Sequence, residues 1–391
     1  MRVSRADRSR LAEWWFTVDH TLLGAILILA GAGLVLSLAA SPAVAEKKGL
    51  ATYYFVLRHF LFVGAGVGVM LAVSLLDRAA VRRLALVLFA IALAALVVVA
   101  LTGAEINGAR RWLRIGGHSL QPSEFAKPAF AVLMGWLFAE AQRRPDMPAL
   151  SLAVGTGATL AALLVIQPDV GQTLLVAMVW GSLFFLSGQP IIAAIGLAGV
   201  GALGLGAAYN IFPHVASRVD RFLSPNIGDN TQVSRAIQSF TEGGFLGRGP
   251  GEGKIKTGLP DAHTDFIFAV VAEEFGAIAC LALIGVFMFI VVRSFMAAAR
   301  EPDAATRLSI QALALLFGLQ ALINMAVNVG LIPAKGMTLP FISAGGSSTV
   351  AISITLGMLL ALTRRRPDQV RLKKPRFVPS VDLGGEAGAT R

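Results

Sequence analysis

Ten apolar runs, each close to the length that spans a bilayer, dominate this chain: 18–40, 53–75, 84–103, 122–140, 149–166, 171–187, 190–212, 265–292, 308–330 and 346–363. A transmembrane helix needs about 20 mostly apolar residues. Lipid offers no hydrogen-bond partner to a bare backbone, so a spanning segment is a helix or part of a closed barrel. The runs lack the apolar–polar alternation of barrel strands. The sequence therefore predicts an all-α polytopic membrane protein, a bundle of about ten transmembrane helices. Composition agrees: 55% of the 391 residues are hydrophobic and 15% charged, where a soluble domain carries about 25% charged residues. Soluble and disordered chains are excluded.

The net charge of +11 sits in short segments between the runs. That placement fits lipid head groups or a phosphate-bearing lipid better than nucleic acid. Arg2, Arg5, Arg8 and Arg10 open the chain. Further basic turns hold Arg78/Arg82/Arg83, Arg143/Arg144, Arg293/Arg300/Arg307 and Arg364/Arg365/Arg366. The positive-inside bias then places both termini in the cytoplasm. The expected organisation is a cytoplasmic segment 1–17, a transmembrane domain 18–363 with a long outer loop 213–264 between helices 7 and 8, and a disordered cytoplasmic tail 364–391. Ala43-Val44-Ala45 resembles a signal cleavage site. The run before it exceeds the h-region length of about 7–15 residues, so an uncleaved first helix is expected. Cys280 stands alone and can form no internal disulfide, and the five histidines show no metal-ligand spacing.

Chemistry-bearing residues concentrate on the predicted outer side. Arg110, Arg111, Trp112 and Arg114 precede Gln121-Pro122-Ser123-Glu124-Phe125-Ala126-Lys127. Pro122 suits a first helical turn, and Glu124 and Lys127 are then i and i+3 on one face. They form either a structural ion pair or part of a polar cavity; Trp112 either anchors the interface or packs on a ligand. Gln167-Pro168-Asp169 makes a short turn in which Asp169 caps the next helix or serves a site. Within the long loop, Val233, Ala236, Ile237 and Phe240 describe one apolar helical face over 231–241, on the membrane surface or against the bundle. The glycine-rich stretch 243–254 predicts a tight or mobile loop and lacks P-loop spacing.

Next, His263 and Asp265 stand where the chain enters an apolar helix, with Glu273 and Glu274 following. A desolvated Asp265 has a raised pKa and serves as a base; a helix cap is the other reading. Finally, Asn324, Asn328, Lys335, Ser347 and Ser348 surround a Gly/Pro-rich link into the last helix, where hydroxyls and a cation favour an anion. Together, Arg111, Arg114, Lys127 and Lys335 around Glu124 and Asp265 point to an outward cavity for an anionic, phosphate-bearing amphiphile. The residues alone name no reaction.

Four stretches, NGARRWLRIGGHSLQPSEFAK, IQPDVGQ, GGFLGRGPGEGKIKTGLPDAHTDFIFAVVAEEFG and NVGLIPAKGMTLPFISAGGSS, resemble the SEDS family (shape, elongation, division and sporulation). They occur in family order, and the resemblance covers about 18–363. The KGMTLPFIS stretch is closer to the FtsW division branch than to the RodA elongation branch. Ala344 departs from the pattern, which often has Tyr there. The resemblance implies a peptidoglycan glycosyltransferase that polymerises lipid II at the outer face of the cytoplasmic (inner) membrane during septal cell-wall synthesis, an inverting reaction. It implies Asp265 as the essential carboxylate. Arg111, Lys127 and Lys335 are then candidates for the pyrophosphate, with Trp112, Glu124 and Ser347 beside them and Gln167, Asp169, His263 and Glu274 in support. A divalent cation, Mg²⁺ or Mn²⁺, and no organic cofactor are expected. The implied partners are lipid II, the lipid-linked nascent glycan, and a class B penicillin-binding protein of the division (FtsI) type with other divisome proteins. A lipid II flippase and a non-catalytic divisome scaffold are the competing readings.

Overall fold

The computed structural model describes residues 9–106, 109–116, 118–144, 146–211, 216–217, 220, 232–259, 261–333 and 336–365. Lys335, Arg366 and the tail beyond it, and most of 212–231, lie outside the described residues. Twelve helices appear among the described residues: α1 (Arg10–Thr17), α2 (His20–Lys47), α3 (Tyr54–Ser74), α4 (Arg78–Thr102), α5 (Pro122–Arg143), α6 (Ala149–Ile166), α7 (Val170–Leu186), α8 (Ile191–Ile211), α9 (Gln232–Gly243), α10 (Ile267–Ala299), α11 (Ala304–Asn328) and α12 (Gly346–Thr363). The ten apolar runs correspond to α2–α8 and α10–α12. Eight of these are long and apolar enough to cross a membrane. The remaining two are α7, which has 17 residues, and α5, which carries Glu124, Lys127, Glu140 and Arg143.

Polar content follows shelter from lipid. Helix α5 packs against α4, α6, α7, α11 and α12, and 17 of its 22 residues are buried. Charges on α5 therefore meet protein, where hydrogen-bond partners exist. Close approach to α11 requires Gly135, since a Cβ there would lie 2.5 Å from the Ser309 amide nitrogen. At the other extreme, none of the described residues of α8 is buried, and the helix leans on α7. Carboxylates start several helices: Asp19, Asp77, Asp169 and Asp303 accept backbone N–H bonds at the first turns of α2, α4, α7 and α11, which satisfies donors that a helix start leaves open.

One end of the bundle is basic and laced with ion pairs. Arg78 meets Glu301 at 2.7 Å, Arg293 meets Asp19 at 2.8 Å, and Arg364 meets Glu13 at 3.1 Å. The opposite end carries Asp265 and a small sheet absent from the all-α expectation: β1 (Ala104–Ile106), β2 (Ala109–Ile115) and β3 (His118–Leu120). The strands form an antiparallel meander, pairing Ile106 with Ala109 and Ile115 with His118. Helix α1 lies within the N-terminal segment 1–17, for which no helix was expected; Ser9 caps it.

The long helix expected over 265–292 is interrupted. Gly276 adopts φ 80°, and α10 continues beyond it to Ala299. Such a backbone angle favours glycine. The break leaves amides and carbonyls without helical partners, and the glycine-rich loop takes their place. Ala277 N–H donates to the Gly244 carbonyl (2.9 Å) and Ile278 N–H to that of Phe245 (3.3 Å). Arg248 and Gly249 N–H groups donate to the carbonyls of Glu273 (2.9 Å) and Glu274 (3.0 Å). The buried Glu273 carboxylate accepts from the amides of Ile255 (2.7 Å) and Lys256 (3.0 Å); that of Glu274 accepts from Gly251 N–H (2.9 Å) and pairs with the Lys256 ammonium. The loop is docked, and α9 packs along α10 rather than lying on the surface alone.

Substitution at this joint is expected to be costly. A Cβ on Gly276 would lie 2.3 Å from the Phe245 carbonyl oxygen, and one on Gly247 would lie 2.2 Å from that of Glu274. Gly276→Ala and Gly247→Ala are each expected to lose roughly 1–3 kcal/mol, read as a lower melting temperature of the purified protein. Gly24→Ala, where a Cβ meets nothing within 4 Å, is the control and leaves it unchanged.

Candidate active site

Asp265 sits in the turn before α10, where Thr264 and Phe266 N–H groups donate to the Asp261 carbonyl. Its own carbonyl accepts from the side-chain amides of Asn324 and Asn328, both at 2.9 Å. Asn328 also accepts from Ala269 N–H (3.0 Å), and Asn324 donates to the Met337 carbonyl (2.6 Å). The link 336–345 is stitched to the same turn: Ser343 donates to the Thr264 carbonyl (2.5 Å), and Ala344 N–H to that of His263 (2.9 Å). Phe341 in this link is buried with φ 61°, a conformation that costs a bulky residue energy and persists only under packing. The main chain at Asp265 is thus pinned through its carbonyl, and an oxygen of the half-buried carboxylate lies beside Gly336.

Gln320, Asn324 and Asn328 are spaced by four on α11 and form one polar stripe. Gln320 accepts from the Lys127 ammonium (2.9 Å) and donates to the Thr338 carbonyl (3.2 Å). Lys127 also meets Glu124 at 2.9 Å, and Gln172 donates to that same carboxylate oxygen at 2.7 Å. Lys127 and Glu124 are 3% and 4% exposed. A buried pair of opposite charges with added hydrogen bonds cancels most of its field, which identifies Glu124–Lys127 first as an internal ion pair. The second carboxylate oxygen of Glu124 is buried and has no hydrogen-bond partner.

A second branch runs through the sheet. Arg111 on β2 donates to the carbonyls of Gln167 (3.5 Å) and Pro168 and lies 3.6 Å from Asp169. Asp169 caps α7 and accepts from the Gln121 amide at 3.3 Å. Ser347, in the first turn of α12, accepts from Gln121 N–H (3.3 Å) and donates to the Ser119 carbonyl (3.2 Å). Gln167 donates to the Leu96 carbonyl at 2.8 Å and ties the turn to α4. Burial raises the pKa of Asp169 and Arg111 opposes it. Trp112 is half-buried on β2.

The bonds join Asp265, Lys127, Glu124, Gln167, Asp169, Arg111 and Ser347 at one end of the bundle. The N-termini of α5, α7, α10 and α12 start there, and their dipoles favour negative charge. His263 flanks the group; its ring lies 4.6 Å from Phe55. Glu274 belongs elsewhere, in the joint that docks the glycine-rich loop. Lys335 lies outside the described residues, though its neighbour Gly336 adjoins the Asp265 carboxylate. Gln121, Gln172, Gln320 and Thr338 were not among the expected site residues. The four-residue spacing of Gln320 from Asn324 was the available signal, hidden because amides are common and carry no charge.

Two expectations follow. Lys127→Met or Glu124→Gln alone strands a buried group and is expected to cost about 3–5 kcal/mol; the double variant recovers much of the loss, as a thermal-unfolding cycle would record. Burial, then the nearby Lys48, lowers His263 to about 4 from 6.5. The unfolded chain therefore binds the extra proton between those values. The stability contributed by the neutral ring is whole above pH 6.5 and is lost as pH falls toward 4. His263→Gln is expected to flatten that part of a melting-temperature profile.

Residues 20–367 match the FtsW/RodA/SpoVE family model, described as cell cycle protein. A relative from Caulobacter vibrioides, named probable peptidoglycan glycosyltransferase FtsW, is 47% identical over 93% of this chain and 94% of its own length. One of the same name from Trichlorobacter lovleyi is 35% identical, covering 90% of this chain and 94% of its own. Among solved structures, a chain of a peptidoglycan synthase complex that coordinates polymerization and crosslinking aligns with TM-score 0.73 at 28% identity, over 88% of this chain and 97% of that one. The rod shape determining protein RodA of Thermus thermophilus aligns with TM-score 0.63 at 25% identity, over 89% of this chain and 97% of its own. With its apolar helices, ordered motifs and assembled polar end, the chain is a multi-pass membrane protein that belongs to the FtsW/RodA/SpoVE family.

Proposed function

We propose that this chain, a peptidoglycan glycosyltransferase like the relatives named above, polymerises lipid II with Asp265 as general base. The observation that carries the reading is the way Asp265 is held. Two buried asparagines grip its carbonyl, which fixes the main chain that carries the carboxylate. The carboxylate takes the proton of the acceptor sugar hydroxyl. That oxygen bonds to the anomeric carbon of the donor, the bond from that carbon to the pyrophosphate oxygen breaks, and the electron pair leaves with the lipid pyrophosphate. Attack opposite the leaving group inverts the centre.

Arg111, Lys127 and Lys335 are the cations assigned to the pyrophosphate. Arg111 is positioned by the Gln167–Asp169 turn. Lys127 reaches the substrate only by loosening its bond to Glu124 or Gln320. Trp112 packs on a sugar, and Ser347 contributes a hydroxyl at a helix start. Electrostatic stabilisation of the leaving charge is the larger part of the catalysis. No group of three carboxylates, histidines or cysteines converges among the described residues. A Mg²⁺ or Mn²⁺ ion would draw most of its ligands from the pyrophosphate and neutralise its charge.

The arginine-rich end faces the cytoplasm and the Asp265 end the outer surface of the inner membrane, as the positive-inside bias favours. Both termini are then cytoplasmic, and the lipid-borne substrate enters from the outer leaflet. A class B penicillin-binding protein of the division type is the partner, and the septum the place of work. Asp265→Asn keeps the gripped carbonyl and removes the base. It is expected to lose about 10²–10⁴-fold in glycan formation from labelled lipid II with an unchanged melting temperature. Full activity of this variant would end the base assignment. Labelled lipid II crossing the bilayer with no glycan product would overturn the polymerase reading.

A further inference from the structure

The basic end of the bundle holds a cavity of about 80 Å³ between the starts and ends of α2, α10, α11 and α12. Its wall carries Arg293, Arg300, Arg364 and Arg365 against two carboxylates, Asp19 and Glu301. The carboxylates are already engaged. Asp19 pairs with Arg293 at 2.8 Å and caps α2; Glu301 pairs with Arg78 at 2.7 Å. Arg364 is 5% exposed and is fixed by Thr17 (2.9 Å), the Leu75 carbonyl (3.2 Å) and Glu13 (3.1 Å). Arg300 and Arg365 are exposed and add two positive charges that no carboxylate in the wall balances. Met296, also in the wall, is 42% exposed and gives the mouth an apolar edge.

We propose that this cavity binds the phosphodiester head group of an anionic lipid, with Arg300 and Arg365 as the charge-bearing contacts and the lipid's acyl chain running past Met296. Preformed basic pockets between membrane helices suit such head groups, and a guanidinium pairs with two phosphate oxygens at once. The pocket joins the first and last spanning helices to α10 and α11, so an occupant would clasp the bundle where Arg364 already ties α12 to α1. The site is at the far end from Asp265 and is independent of the polymerase reading. Its assignment to the inner leaflet rests on the proposed orientation.

The test uses the full chain in nanodiscs and native mass spectrometry. Wild type and Arg300→Gln/Arg365→Gln are compared in phosphatidylglycerol–phosphatidylcholine mixtures, with phosphatidylcholine alone as reference. Selective retention of phosphatidylglycerol by wild type, weakened roughly thirtyfold in the double variant, is expected, since each of the two cations contributes about 1 kcal/mol near a membrane. Wild type and the double variant should melt alike in phosphatidylcholine. Equal retention by the two forms, or no preference over phosphatidylcholine, would overturn the proposal. Millimolar inorganic phosphate is the second arm. Displacement of the retained lipid by phosphate supports a site that reads the phosphate group itself; loss of lipid on adding equal sodium chloride would reduce it to nonspecific charge and overturn it. Glycan formation from labelled lipid II, measured in parallel, reports the polymerase reading separately.

Discussion

In hydrocarbon, every backbone N–H and C=O needs a partner inside the protein. The break in α10 at Gly276 shows what that constraint demands. A helix interrupted in lipid would expose several polar groups, each costing several kcal/mol. Here the loop after α9 supplies the missing donors and acceptors, and Glu273 and Glu274 fasten its far side. The glycine-rich stretch and the long helix are therefore one element. The same constraint explains two of the loop's glycines: at Gly243 and Gly247 its backbone lies against the α10 backbone with no room for a side chain.

Shelter from lipid also decides where chemistry can sit. Helix α5 is surrounded by five others and carries Glu124 and Lys127. Helices α11 and α12 are largely buried and carry the amide stripe and the hydroxyls. Helices α3, α4, α6 and α8 show lipid an apolar face. Buried charge is tolerated only when paired and hydrogen-bonded, and that requirement turns isolated polar residues into the network from Asp265 to Arg111. The network is built largely through backbone carbonyls.

The two ends of the bundle divide the charge between them. At the Asp265 end, four helix starts and Arg111 favour an anion over a floor whose internal ion pair is closed on itself. At the other end, arginines exceed the carboxylates that face them. The two proposed ligands, a lipid-borne pyrophosphate at the first and a lipid head group at the second, would both be met from the membrane.

The spanning helices were legible in the sequence because length and hydropathy are local properties and lipid leaves the chain only one way to satisfy its backbone. The amphipathic α9 was legible by period, and Asp265, Arg111, Glu124, Lys127 and Ser347 by motif. What sequence reasoning missed depends on distant contacts. The three-stranded sheet has strands of three to seven residues, too short for a periodic signal. Gly276 resembles any other glycine in an apolar helix until the loop that fills its gap is in place. Glu274 was grouped with the site on the family resemblance; the structure pairs it with Lys256. Gln320 carries no charge and became visible only beside Lys127. The sequence by itself determined that the chain crosses a membrane many times and which residues are candidates for its chemistry. The tertiary structure alone decided which of those residues meet, because a buried charge or an open amide is satisfied by whatever partner packing brings near, however far away it lies in the chain.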